Sequence, residues 1–369
     1  MRIPALGGLV ALLAAATASA AAAAVADDRA ATPLERAAFV AMPAVYDLVT
    51  EQRIDALIVG KRRVRVDQDV AIRGTAFGVS PGRVVATRHV VAPPRRQLIE
   101  ATIAVAGLSG IPTDPTRVRV VAHGRRTLSL TPARTAAAAS GASPPTVEAG
   151  VERLSDRATD LALLEIADID APTLALDDAL TKGTPVAAIG FGAQPLAIPA
   201  VRLGTLDGPR VREGTADDGF GGFEGEVVRG DSGAPVIDAE GQAHGVVLRL
   251  RTDTAPVIVR AQRVLELLKA DRATGGESAA ITDFRTAMGA FWRRDYRSAA
   301  ARLKVLRDAG SGGAFIRDEY ERATALADTG YTVRAPSRGR RAIVAIGAMA
   351  TLLAAALGAL RIRRQPFLP

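Results

Sequence analysis

Three residues far apart in the chain carry the side chains that acyl transfer needs: His89, Asp160 and Ser232. His89 follows the run Val84-Val85-Ala86-Thr87-Arg88, Asp160 opens Asp160-Leu161-Ala162-Leu163-Leu164, and Ser232 sits in Gly230-Asp231-Ser232-Gly233. Amide hydrolysis through an acyl intermediate requires a nucleophile, a base that takes its proton, and a group that orients the base. In that scheme Ser232 attacks, His89 shuttles the proton, and Asp160 holds the imidazole tautomer and stabilises the imidazolium. The N–H groups of Gly230 and Ser232 are the expected donors to the oxyanion, which accounts for the glycines around the serine. Gly-Asp-Ser-Gly alone is ordinary turn sequence. The weight lies in the joint occurrence, in one chain order and each beside a β-like run. The other histidines, His123 and His244, lack this context.

Such a constellation must be held by a rigid frame. From Met42 to about Lys269 short runs rich in Val, Ile, Leu and Thr alternate with turns of Gly, Pro and Asp. Among them are Ala44–Leu48, Arg62–Val66, Gly74–Val79, Arg117–Ala122, Leu161–Ile166, Val186–Gly190 and Gly245–Leu250. This spacing predicts an all-β sandwich or barrel rather than βαβ units. Residues 133–150, small and with a Pro pair, read as a surface insertion. Val259–Ala270 has Val264, Leu267 and Leu268 at helical spacing and is expected to close the domain. Residues 281–329 then change character: Phe284, Met288, Phe291, Leu303, Leu306, Phe315 and Tyr320 predict two or three short helices.

Charge excludes one class of function. The formal net charge is +8, but residues 1–26 and 334–369 hold eight basic residues and no acid, leaving 27–333 neutral. Nucleic-acid binding by the body therefore has no electrostatic basis in its net charge. Cysteine is absent, which excludes disulfides, thiolate metal sites and a cysteine nucleophile. No metal or organic cofactor is implied.

The ends address the membrane. Residues 1–26 begin with one Arg, continue through an apolar run from Leu9 to Ala16, and reach small-residue sites at Ala18-Ser19-Ala20 and Ala24-Val25-Ala26. That is the pattern of a secretory signal peptide, with an uncleaved anchor as the competing account. Residues 342–360 are 19 in number without charge or Pro. As a helix they would span about 28 Å, close to the hydrocarbon thickness. Residues 330–341 form a Pro/Gly/Arg linker, and 361–369 a tail expected in the cytoplasm. The expected location is a bacterial cell membrane, single-pass, with the body on the periplasmic or extracellular side.

The stretches Gly74–Val91, Asp160–Glu165, Val186–Gly192, Val201–Asp207, Gly230–Ile237 and Gly245–Val247 resemble the trypsin-like serine peptidases of the chymotrypsin fold, more closely their HtrA (DegP-like) branch. The resemblance covers residues 42–270. It implies two six-stranded antiparallel β-barrels with His89, Asp160 and Ser232 in the cleft between them, here followed by the helical segment and one transmembrane helix. Two departures stand out. Asp231 stands where HtrA relatives have Asn, and Ala234 where a second Gly is usual. In trypsins that Asp pairs with a newly cut N-terminal amine. Ile58-Val59-Gly60-Lys61 looks like such a site but is read as a strand, so Asp231 needs another partner. Glu226 lies where trypsins place the acid that binds a basic side chain, and a solvated loop carboxylate is the competing account. Val246 and Val247 are the other candidates for a substrate pocket wall. In 281–329, Ala287, Tyr296, Ala299 and Leu303 have tetratricopeptide-like spacing. One repeat cannot bury its own face, so a spacer packed on the body or bilayer competes with a partner-binding or oligomer-forming module.

The expected function is a membrane-anchored extracytoplasmic serine endopeptidase acting on protein or peptide substrates. The alternative is a catalytically silent trypsin-fold binding or sensor protein.

Overall fold

The computed structural model describes residues 31–134, 146–168, 170–192, 199–210, 219–248 and 256–329. The expected signal peptide, linker, transmembrane helix and tail lie outside the described residues, as does most of the 133–150 insertion. Among the described residues no helix is long and apolar enough to cross a membrane.

Twelve described strands close into two barrels of six. The first joins β1 (Val45–Val59), β2 (Arg62–Ser80), β3 (Arg83–Thr87), β4 (Val118–Pro132), β5 (Val147–Leu154) and β6 (Leu161–Ile166) in the order β1-β2-β3-β6-β5-β4. The second joins β7 (Pro185–Gly190), β8 (Ala200–Arg210), β9 (Phe220–Gly225), β10 (Pro235–Ile237), β11 (Ala243–Leu248) and β12 (Val257–Arg260) in the order β10-β11-β12-β9-β8-β7. All neighbouring strands run antiparallel, so short hairpins suffice where chain neighbours pair. The expectation of an all-β body of two six-stranded barrels holds.

Two stretches read separately, Arg62–Val66 and Gly74–Val79, are parts of one 19-residue strand. The polar Asp67-Gln68-Asp69 between them is exposed, with Asp67 at φ 53, so the strand continues through a kink that hydropathy registers as a break. Ile58 and Val59 pair with Arg63 and Arg62 across a turn at Gly60, which takes φ 60. That stretch is a hairpin. A helix absent from the sequence expectations, Arg95–Val105, lies across this ribbon with Ile99 and Ile103 against Leu57, Val64 and Val118. The short helix Arg88–Val91 precedes it; these two are α2 and α3, after α1 (Pro33–Ala41).

After β12 come α4 (Ala261–Ala270), α5 (Ala279–Trp292), α6 (Tyr296–Asp308) and α7 (Gly313–Asp328). Helix α1 starts with a capping box in which the Thr32 hydroxyl accepts from Glu35 N–H and the Glu35 carboxylate accepts from Thr32 N–H. It places Phe39 among Phe284, Phe315 and Trp292, with ring centroids 6.2, 5.2 and 6.3 Å away. These side chains are continuous with the core that contains Phe77, Val85, Ile237 and Val246. The helical segment thus packs its apolar face against the barrels. Replacing Phe39 by Ala is expected to cost about 3–5 kcal/mol, read as a lowered urea midpoint; a change under about 1 kcal/mol would mean the helices stand apart from the core.

Glu319 on α7 is buried, with one carboxylate oxygen that has no hydrogen-bond partner among the described residues and lies 3.7 Å from the Arg322 guanidinium. Burial pushes its pKa from 4.5 to about 7, with Arg322 pulling it down and Asp318 pushing it up less strongly. Its folded value exceeds its unfolded one, so the neutral form favours folding. That stability is complete below about pH 4.5 and is lost as pH rises through 7. Glu319→Gln should therefore gain about 3 kcal/mol above pH 7 and nothing near pH 4.5. Paired denaturant titrations at pH 4.5 and 8 check this; an equal effect at both would refute it.

Candidate active site

The pairing of β3 with β6 sets the first half of the site. Thr87, the last residue of β3, faces Leu161, the first of β6. His89 therefore leaves one strand end just where Asp160 enters the other. Arg88 N–H donates to the Asp160 carbonyl at 2.8 Å, and His89 N–H to Asp160 Oδ1 at 2.8 Å. The second carboxylate oxygen lies 2.7 Å from His89 Nδ1. A carboxylate only accepts, so Nδ1 carries a proton, and in the neutral ring this leaves Nε2 as the nitrogen with the lone pair. Asp160 adopts φ 58, a left-handed conformation that Asp tolerates better than most residues. A cavity of about 710 Å3 opens beside His89 and Asp160, bordered by Arg88, Pro93, Pro94 and Arg157.

The second half is the loop between β9 and β10. Thr75 of β2 holds it: Thr75 N–H donates to the Ser232 carbonyl at 2.8 Å and the Thr75 hydroxyl to the Gly230 carbonyl at 3.0 Å. The same hydroxyl accepts from Phe191 N–H at 3.2 Å, so one buried threonine ties both barrels to the loop. Gly233 has φ 95, and a Cβ there would come within 1.8 Å of the Thr75 carbonyl oxygen. Only glycine fits that contact. A Cβ on Gly74 would meet Val90 at 2.8 Å and the Ser232 carbonyl at 2.9 Å, so the residue after His89 and the backbone of Ser232 converge over Gly74. The Ser232 hydroxyl hydrogen-bonds to none of the described residues, His89 included.

Within this loop the N–H groups of Asp231, Gly233 and Ala234 donate to Val228, Val247 and Asp231 carbonyls. Those of Gly230 and Ser232 meet no acceptor among the described residues. They are the two amides the sequence singled out. Gly230 reaches its conformation with φ 97.

Asp231 has its partner. Its side chain, 1% exposed, accepts from Arg202 Nε at 2.6 Å, from Val228 N–H at 2.8 Å and from Gly192 N–H at 3.1 Å. Burial pushes its pKa up, and the Arg202 charge and the hydrogen bonds only partly reverse this. Arg202 comes from β8, opposite Ala188 of β7, which in turn faces Val236 of β10. Both Arg202 and Thr75 lie in stretches that carried the resemblance, but their roles were not read from sequence.

The remaining candidates fall elsewhere. Glu226 is exposed on the loop after β9. Val246 and Val247 are fully buried on β11, Val246 in the large shared core and Val247 with Phe223, Val236 and Ile258 inside the second barrel. The one described trio with metal-ligand chemistry is Asp177, Asp238 and His244. Hydrogen bonds account for its geometry: His244 Nδ1 lies 2.7 Å from the Ala179 carbonyl, and Nε2 lies 3.0 Å from Asp238 Oδ2. Burial alone would lower the His244 pKa, but the Asp238 contact and the surrounding acceptors more than offset it and hold the pKa above its usual value.

Residues 74–246 match the trypsin-like peptidase domain. Together with the two closed barrels this match defines a trypsin-like fold. Among solved structures, the chain is similar to the Rv3671c protease from M. tuberculosis. Its active form is 20% identical, with 64% of this chain and 85% of that one covered and a TM-score of 0.42. The inactive form is 18% identical, with 63% and 91% covered and a TM-score of 0.39. Among curated proteins none matches the sequence.

Proposed function

We propose that this chain is a serine endopeptidase, held in a bacterial membrane by residues 342–360, that cleaves protein or peptide substrates outside the cytoplasm. The observation that carries the reading is an imidazole oriented by Asp160 together with a serine loop whose Gly230 and Ser232 amides meet no acceptor among the described residues. In the reaction Ser232 Oγ attacks the scissile carbonyl while His89 Nε2 takes its proton. The negative charge forming on the carbonyl oxygen is met by the two amides. Asp160 stabilises the imidazolium that results. His89 then hands the proton to the departing amine, leaving an acyl-serine. Water attacks this ester by the same route, returning Ser232 and releasing the acid.

Arg202 supports constitutive competence: it meets Asp231 from within the chain, so the loop needs no newly cut N-terminus. Export through 1–26, the extracytoplasmic placement and the HtrA-like ancestry rest on the sequence patterns. The helical segment acts as a spacer between the body and the anchor. The test is hydrolysis of an unfolded protein by the full chain in membranes. Wild type should generate peptides and Ser232→Ala none; equal digestion by both would refute the assignment, and none by a folded wild type would favour the silent binding protein.

A further inference from the structure

A cavity of about 350 Å3 lies between β2 and α3 and reaches the loop before the nucleophile. Its walls include Ile72 and Arg73 of β2, Ala101 and Ala104 of α3, and Arg229 and Gly230. Resting on the peptidase reading, its position fixes which part of a substrate it meets. Gly230, whose amide meets no acceptor among the described residues and is assigned by that reading to the scissile carbonyl oxygen, forms part of its wall, which places the cavity next to the scissile bond. His89 protonates the leaving amine, and α3 continues the segment that carries His89, so the leaving segment departs over the first barrel. The cavity shares no wall with β11 or β12 of the second barrel.

Its charges are unevenly matched. Arg73 donates to Asp47 at 2.9 Å, and Glu100 accepts from Arg96 at 3.1 Å. Arg229 is exposed and pairs with no acid among the described residues. The opening therefore sets apolar side chains and the already paired Arg73 and Glu100 beside one guanidinium that meets no acid among the described residues, a setting suited to a carboxylate on a short methylene stem. We infer that this cavity is a leaving-group-side subsite that selects a carboxylate in the segment released from the scissile bond, with Arg229 as the selecting residue. That carboxylate belongs to an Asp or Glu side chain or to the substrate's own C-terminus; the chemistry at Arg229 is the same.

The experiment is digestion of a proteome-derived peptide pool by the full chain in membranes, with sequencing of the released segments. Asp and Glu should be enriched about tenfold over Lys and Arg within the first three released positions at low salt. The preference should shrink at 0.5 M salt because the pair is exposed. Arg229→Lys should retain it and Arg229→Glu should invert it, an inversion that a misfolded loop does not produce. A second pool with amidated C-termini separates the sources: cuts near the chain end that vanish on amidation indicate the terminal carboxylate. Released segments without charge preference, or a preference unchanged in Arg229→Glu, overturn the subsite and leave the peptidase reading intact. No cleavage by wild type, together with no reaction of Ser232 with a fluorophosphonate that has no leaving peptide, overturns both.

Discussion

Replacing Arg202 by Met is expected to lower kcat by about 100-fold or more, a loss on the scale of one oxyanion donor, while the barrels stay folded. The Asp231 side chain is 1% exposed, and Arg202 is its only cationic partner among the described residues. Removing one member of a buried ion pair leaves an uncompensated charge, at a cost of about 3–5 kcal/mol. The loop relieves that cost by turning Asp231 toward water or by protonating it. Asp231 lies between Gly230 and Ser232, so any rotation there moves both free amides away from the scissile carbonyl. The stability deficit should shrink as pH falls, because a neutral carboxyl no longer needs the guanidinium. Steady-state kinetics with denaturant titrations at two pH values read both effects. Unchanged kcat in Arg202→Met would mean that the loop is held by Thr75 and the glycines alone.

Asp160→Asn is expected to reduce kcat by about 10⁴-fold with the fold intact, the scale seen when the orienting carboxylate of another serine peptidase is made an amide. The local bonds give the reason. One Asp160 oxygen accepts from His89 N–H and the other faces Nδ1. In the variant the amide oxygen keeps the backbone contact and the NH2 group turns to Nδ1. That nitrogen must then accept, which moves the ring proton to Nε2 and blocks it as a base. Nitrogen NMR of the imidazole checks the tautomer directly. A fall of under tenfold would show that His89 is oriented by other groups.

The parts of this site that were legible in sequence are those fixed by strand register over short distances. Thr87 and Leu161 end the β-like runs that bring His89 and Asp160 together, and the glycines around Ser232 report a loop packed on backbone. Arg202 was illegible because it reaches Asp231 across a sheet, through Ala188 and Val236, and no local pattern records that pairing. Helix α3 was missed because it buries little of itself: Leu98, Ile99 and Thr102 are its buried residues, and Pro93-Pro94 before it reads as a break. The three helices of 281–329 were legible because their buried positions repeat at helical spacing from Ile281 to Ala323. Burial of Val246 and Val247 on both faces of β11 follows from barrel closure, which puts core on one side and the helices on the other.

Labelling with a fluorophosphonate probe, read by intact mass on the full chain in membranes, tests the central claim most directly. The probe reacts only where a serine, its base and the oxyanion donors are assembled. One adduct on wild type that maps to Ser232, and none on Ser232→Ala or His89→Ala, is the predicted result. A folded wild-type chain that takes up no probe, or an adduct that persists in Ser232→Ala, would contradict it.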